Sequence, residues 1–166
     1  MANQDWTRFV KRITIKADSQ AIYKAFSTPS GFEKWFLRKA IFTATNGDKR
    51  VDNEAIQPSD TYEFFWYGHP DTTTEKSHII ETNGKDYVKF GFSDDTTVAI
   101  RIKQEDGENV VELTQENIKP TDNPLNSLYV WCGEGWTFYL ANLKSILEGG
   151  IDLRNKNEKI KSVVNS

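Results

Sequence analysis

With one cysteine and two histidines among 166 residues, the chain has little with which to hold a metal ion. His69 and His78 lie in different segments, and neither a His-x-x-x-His nor a Cys-x-x-Cys spacing occurs, so no metal site is expected. The lone Cys132 cannot form an internal disulfide, which fits a reducing cytoplasm. Its place inside an apolar helical pattern marks it as a core residue rather than a nucleophile. No glycine-rich run joins a strand to a helix, so a phosphate-cradling loop is missing as well. Excess positive charge is also lacking: 21 Lys and Arg against 24 Asp and Glu leave a net charge of -3. That balance gives no electrostatic reason to expect nucleic acid or an anionic membrane as partner. The first residues carry neither a basic n-region nor an apolar run, so no signal peptide is read there. No stretch approaches the ~20 apolar residues that span a bilayer. Together these absences predict a soluble cytoplasmic protein with no membrane span and no cofactor.

What the chain does have is aromatic side chains, 13% of the total with five Trp. A single domain of this length needs only a few to fill its core, so the excess hints at a lined cavity or a contact surface. The longest helical pattern covers residues 125–148, with apolar residues at Leu125, Leu128, Cys132, Trp136, Tyr139, Leu140, Leu143, Ile146 and Leu147. Asn123-Pro124 supplies its start and Gly149-Gly150 its stop. Gly133 and Gly135 sit inside it at a cost of ~1 kcal/mol each relative to Ala. They imply either a close backbone approach or room left beside the helix.

Upstream of that helix the pattern is mostly strand. Residues 8–16 alternate, with Phe9, Ile13 and Ile15 on one side, and predict a half-buried first strand. Asp18 is a good N-cap for a short helix over 19–27, whose inward residues would be Ala21, Ile22, Ala25 and Phe26. Thr28-Pro29 ends it, and a second short helix over 30–36 offers Phe32, Trp35 and Phe36. Strands are expected over 39–45, 61–67, 75–82, 85–92, 96–103 and 109–115, with 49–60 a loop. Asn83-Gly84 and the 105–108 turn are hairpin signals, and successive hairpins make the sheet antiparallel. The expected fold is therefore α+β: a curved antiparallel sheet of six or seven strands, two short helices after the first strand, and a long C-terminal helix covering one face. Residues 1–7 read as an N-terminal extension, 8–150 as the domain, and 151–166 as a polar tail, frayed from Asn155 onward.

Three segments resemble a known family: Ala-Asp-Ser-Gln-Ala-Ile-Tyr-Lys-Ala-Phe-Ser-Thr-Pro at 17–29, Glu-Lys-Trp-Phe at 33–36, and Gly-Trp-Thr-Phe-Tyr-Leu-Ala-Asn-Leu-Lys-Ser-Ile-Leu-Glu at 135–148. In their order and spacing they are similar to the START-like, helix-grip superfamily. More narrowly, they resemble the domain family named for homologues of the activator of the ninety-kilodalton heat-shock chaperone ATPase. The likeness covers residues 8–150, with one departure. Where many relatives carry a Gly-Gly pair leading into the third strand, this chain reads Pro-Ser-Asp-Thr-Tyr at 58–62.

The resemblance implies a helix-grip arrangement in which sheet and helix enclose a pocket for apolar molecules. By strand alternation, Tyr62, Phe64, Trp66, Phe90 and Phe92 would face that pocket from the sheet, and Trp131, Tyr139 and Leu143 from the helix. Tyr hydroxyls and Trp N–H groups are the expected polar anchors. The plainer alternative is that these side chains meet and fill the space. His78, in mid-strand, would be the best proton-transfer group if it pointed inward, which is the basis for a cyclase- or hydrolase-type enzyme as the third reading. The family name implies a chaperone-associated interaction module as the second, with a chaperone as partner. In the eukaryotic activators a separate N-terminal domain precedes the START-like module, whereas here only residues 1–7 do. The first reading is a carrier of a small apolar or amphipathic molecule.

Overall fold

A computed structural model of the chain describes residues 4–164. In chain order the elements are β1 (Phe9–Thr14), α1 (Ser19–Ala25), α2 (Pro29–Trp35), β2 (Lys39–Thr43), β3 (Thr61–Phe65), β4 (Glu75–Thr82), β5 (Tyr87–Phe92), β6 (Thr96–Glu105), β7 (Glu108–Glu116) and α3 (Leu128–Leu147). The seven strands form one antiparallel sheet in the order β1-β7-β6-β5-β4-β3-β2. From β2 to β7 every neighbour in space is a neighbour in sequence, because each connection is a hairpin or a loop. The sheet is open, with β1 and β2 at its edges. Helices α1 and α2 carry the chain from one edge to the other, and α3 lies in the grip of the sheet.

Local chemistry sets the helix ends. The Asp18 carboxylate accepts from the backbone N–H of Gln20 and Ala21 at the start of α1. Thr28 does the same for Gly31 at the start of α2, with Pro29 in the first turn. A Cβ at Gly31 would stand 2.1 Å from the Lys24 carbonyl oxygen, so only glycine lets α2 fold back onto α1. The Trp35 indole then donates to the Ala25 carbonyl at 2.8 Å. Phe32 touches Phe42, Phe64 and Phe90 with ring centroids 5.4–6.1 Å apart, which joins α2 to three strands.

Several expectations need correction. Ala21 is exposed, and the inner face of α1 is built from Ile22, Tyr23 and Ala25. Pro124 starts a 3-10 turn over Pro124–Asn126 instead of α3 itself, and α3 begins at Leu128 after the N-cap Ser127. Asn83-Gly84 does not form a two-residue hairpin. The Asn83 side-chain oxygen accepts from the N–H of Lys85, Asp86 and Tyr87 at 3.0 Å each, holding a four-residue loop and starting β5 at Tyr87. The 105–108 signal gives a two-residue turn with positive φ at Asp106 and Gly107.

Loop 49–60 is polar but firmly built. Arg50 bonds both oxygens of the buried Asp60 at 2.8 and 3.0 Å and reaches Glu54 with its third nitrogen. Beyond α3 the chain turns back onto α2. Arg154 is buried and donates to the carbonyls of Glu33, Lys34 and Leu37 at the end of that helix.

Candidate functional site

A groove of about 650 Å³ lies at the end of the sheet where β3 stops, β4 starts and β5 stops, roofed by the first half of α3. Its helix side is one face at helical spacing: Leu128, Trp131, Cys132, Gly135, Trp136 and Tyr139. Phe36, the C-cap of α2, forms the floor with ring centroids 5.7 Å from Trp66 and 4.8 Å from both Trp136 and Tyr139. Phe92 stacks at an angle on Trp136 with centroids 5.3 Å apart. The opposite rim carries Trp66 and the polar residues His69, Thr73, Thr74, Glu75 and Ser93.

Trp136 is held in place by a buried relay. Its indole N–H donates to the Gln115 side-chain oxygen at 2.9 Å, Gln115 donates to Thr96 at 3.0 Å, and the Thr96 hydroxyl donates to the Phe92 carbonyl. Gln115 is 0% exposed, so each of its groups needs the partner it has. A ring pinned in this way keeps one wall of the groove in a fixed place.

The nine sequence-predicted residues separate into three groups. Trp66, Phe92, Trp131 and Tyr139 line the groove. Tyr62, Phe64, Phe90 and Leu143 lie in the core instead, each at most 2% exposed. The rows Tyr62-Phe64-Trp66 and Phe90-Phe92 do point inward as expected, but only their last members reach the rim of the sheet. Phe32 and Phe36, from α2, fill the space over the earlier ones. His78 is exposed and belongs to the opposite parity of β4 from Glu75, Ser77 and Ile79, so it does not enter the groove.

Of the expected polar anchors, the Tyr62 hydroxyl is committed to the Gly91 carbonyl; the N–H of Trp136, a groove residue not among them, is taken by Gln115. Sequence reasoning missed Phe36, read only as an apolar anchor, and Glu75, which lies at the first position of a strand whose parity was ambiguous.

Glu75 is the distinctive polar group. The Ser93 hydroxyl donates to its Oε2 at 3.0 Å. Burial pushes its carboxyl above the ordinary value; the Ser93 bonds pull it back in part, and the Asp94 charge adds to the rise. No ion pair to Glu75 forms among the described residues. Burial likewise raises the Cys132 thiol, partly offset by a bond with Gln115, so Cys132 is a poor nucleophile. Tyr139 is pushed up to about 12, by burial first and against the pull of Arg154. Among the described residues no group of three or more His, Cys, Asp or Glu is placed to hold a metal ion, and no helix is long and apolar enough to cross a membrane.

The fold is shared with solved structures. A protein from Staphylococcus saprophyticus superposes with a TM-score of 0.67 at 17% identity, covering 89% of this chain and 96% of its own. The protein described as the Aha1 dimer from Colwellia psychrerythraea gives 0.65 at 19% identity, covering 86% and 97%. DynU16, described as a putative protein in the dynemicin biosynthetic locus, gives 0.69 at 12% identity; the match covers 90% of this chain and 50% of that one. Identities this low support the fold alone. Among curated proteins, none matches this sequence. The family model for Activator of Hsp90 ATPase homolog 1-like protein matches residues 16–148, a span that runs from just past β1 to the end of α3 and takes in every residue named as lining the groove. The chain belongs to that family, within the START-like helix-grip fold.

Proposed function

We propose that this protein binds a small apolar or amphipathic molecule in the groove beneath the first half of α3. The observation that carries the reading is the groove itself. At about 650 Å³ it falls within the roughly 300–1,000 Å³ typical of small-molecule sites. Its walls are aromatic, and its polar groups are confined to one rim. Trp131 stands 59% exposed at its edge, which leaves apolar surface that a ligand would take out of water. A thermal-shift screen of lipids and aromatic metabolites, with native mass spectrometry on the hits, tests this. A raised melting temperature together with a bound mass is the expected result. No shift with any compound, and bare protein throughout, would overturn it.

A second reading is supported by the family's description and by Leu125 and Trp131, which stand 76% and 59% exposed near the start of α3. Paired exposed apolar side chains suit a protein partner as well as a small ligand, and the family points to a chaperone. Co-purification followed by an ATPase assay separates the two readings, since an unchanged ATPase rate excludes stimulation. The enzyme reading lost its main acid–base candidate when His78 proved to face solvent.

A further inference from the structure

We infer that the groove selects cationic amphiphiles, molecules with an apolar tail and a positively charged amine or quaternary ammonium head, and that Glu75 is the residue that selects them. The inference rests on the ligand-binding reading above and adds the class of ligand. Three observations converge on it.

First, the groove carries a carboxyl that no ion pair balances among the described residues. Glu75 sits on its wall with the Ser93 hydroxyl as its hydrogen-bond donor and no ion pair among the described residues. A carboxylate turned toward an apolar site is costly unless a cation joins it. The nearest added charge has the same sign: Asp94, in the turn that follows, pushes the Glu75 carboxyl further up. No Lys or Arg lines the groove, and its one basic side chain, His69, is exposed.

Second, much of the remaining wall is aromatic, with Trp66 and Trp131 the most accessible of its rings. Phe36, Trp66, Phe92, Trp131, Trp136 and Tyr139 all line the same space as Glu75. Rings attract a cation through their quadrupole, most strongly when water is excluded, and a carboxylate beside an aromatic wall is the combination that recognises alkylammonium groups. An anionic head group meets repulsion from the same carboxylate, and a neutral one gains from neither.

Third, part of the aromatic wall is preorganised, and the indole N–H of Trp136 does not compete for anions. The Trp136 N–H is occupied by Gln115, so it is not free to donate to an anionic head group. The Phe36 ring already touches both Trp136 and Tyr139, with centroids 4.8 Å apart in each pair, so little ordering remains to oppose binding.

The test uses three probes with the same tail, octyltrimethylammonium, octanol and octyl sulfate, titrated below their micelle concentrations against the full chain. Tryptophan fluorescence and calorimetry are the readouts. The wild-type protein should bind the cation about tenfold or more tighter than octanol, and octyl sulfate the weakest of the three. In Glu75→Gln, checked for an unchanged melting profile, the cation should lose that advantage while octanol binding stays the same. If the wild type binds all three alike, or prefers the sulfate, the inference fails while the ligand-binding reading stands, and this result needs no variant. A cation preference that survives Glu75→Gln would also overturn it. If none of the three binds, the groove is not a site for apolar tails, and both readings fail together.

Discussion

At the scale of single residues, a tryptophan's consequence depends on what lies behind it. Trp35, Trp66 and Trp131 form a graded series: Trp35 is 0% exposed, Trp66 is half-buried on the core, and Trp131 is 59% exposed. Trp35→Ala removes a ring that nothing can replace and leaves the Ala25 carbonyl without its donor, so it should cost ~3–5 kcal/mol. Trp131→Ala loses little packing and should fall within about 0.5 kcal/mol of wild type, while Trp66→Ala lies between the two. Urea denaturation midpoints at unchanged m-values measure the series. Equal losses at all three positions would mean that α3 closes tightly on the sheet and the groove does not stand open. The inward direction of Trp66 was legible because Tyr62, Phe64 and Trp66 share one parity in a run of aromatics. The outward direction of His78 was not. Strand β4 reads Glu-Lys-Ser-His-Ile-Ile-Glu-Thr, with one Ile on each parity, and a bulge between Ile79 and Glu81 breaks its register. Periodicity assigns no face to such a strand, and the same ambiguity hid Glu75.

At the scale of elements, α3 shows what its two glycines do. The sequence offered two reasons for them, close approach or empty space; the structure shows open space at Gly135 and no close backbone approach at Gly133. Gly133 is buried, and a Cβ there would meet the Lys11 side chain at 3.7 Å, an ordinary contact. At Gly135 no atom would lie within 4 Å of an added Cβ, and that residue lines the groove. Gly135→Ala should therefore stabilise the protein by about 0.4–1 kcal/mol, since glycine's helix penalty is removed without a clash. Gly135→Leu should keep that gain in part yet fill the groove and abolish binding of any ligand that raises the melting temperature of the wild type. Thermal melts with and without ligand read both effects. If Gly135→Leu bound the same ligand with unchanged affinity, the site would have to be sought elsewhere. The helix itself was plain from its apolar spacing, but its first turn was misjudged, because Pro124 fits the start of a 3-10 turn as well as that of an α-helix.

At the scale of the whole molecule, the antiparallel sheet and the two-layer arrangement followed from the chain of hairpins and the single long apolar helix, whereas the pairing of β1 with β7 did not. The polar ties between distant parts did not, because a buried polar side chain is recognised by its partners, and these come from far along the chain. Asn142 is 0% exposed: its amide donates to the Trp35 carbonyl at 2.7 Å, and its oxygen accepts from the Leu153 N–H at 2.7 Å. Arg154, from a segment whose composition suggested only a polar tail, closes the end of α2 and is paired with Asp152 at 2.7 Å. This assembly clamps α2, and with it Phe36 on the groove floor, to α3. Arg154→Ala strips donors from three carbonyls and leaves Lys156 as the one cation paired with Asp152 among the described residues, and should cost about 3–5 kcal/mol, the usual loss when half of a buried pair is removed.

The clamp also sets the response to acid. Burial raises the Asp152 carboxyl, but bonds from Arg154, Lys156 and the Arg154 backbone outweigh it, so the folded-state value lies well below the ordinary 3.8. Below 3.8 the unfolded chain takes up a proton that the folded one refuses. The stability that Asp152 contributes is therefore whole above that pH and drains away as pH falls toward the depressed value. Asp152→Asn should destabilise the protein at neutral pH and flatten the acid limb of its stability curve, so that wild type and variant converge in strong acid. Urea midpoints collected from neutral pH down through the carboxylate range give the comparison. Parallel curves, offset by the same amount at every pH, would show that Asp152 acts through shape alone and that its charge takes no part in holding the chain end against α2.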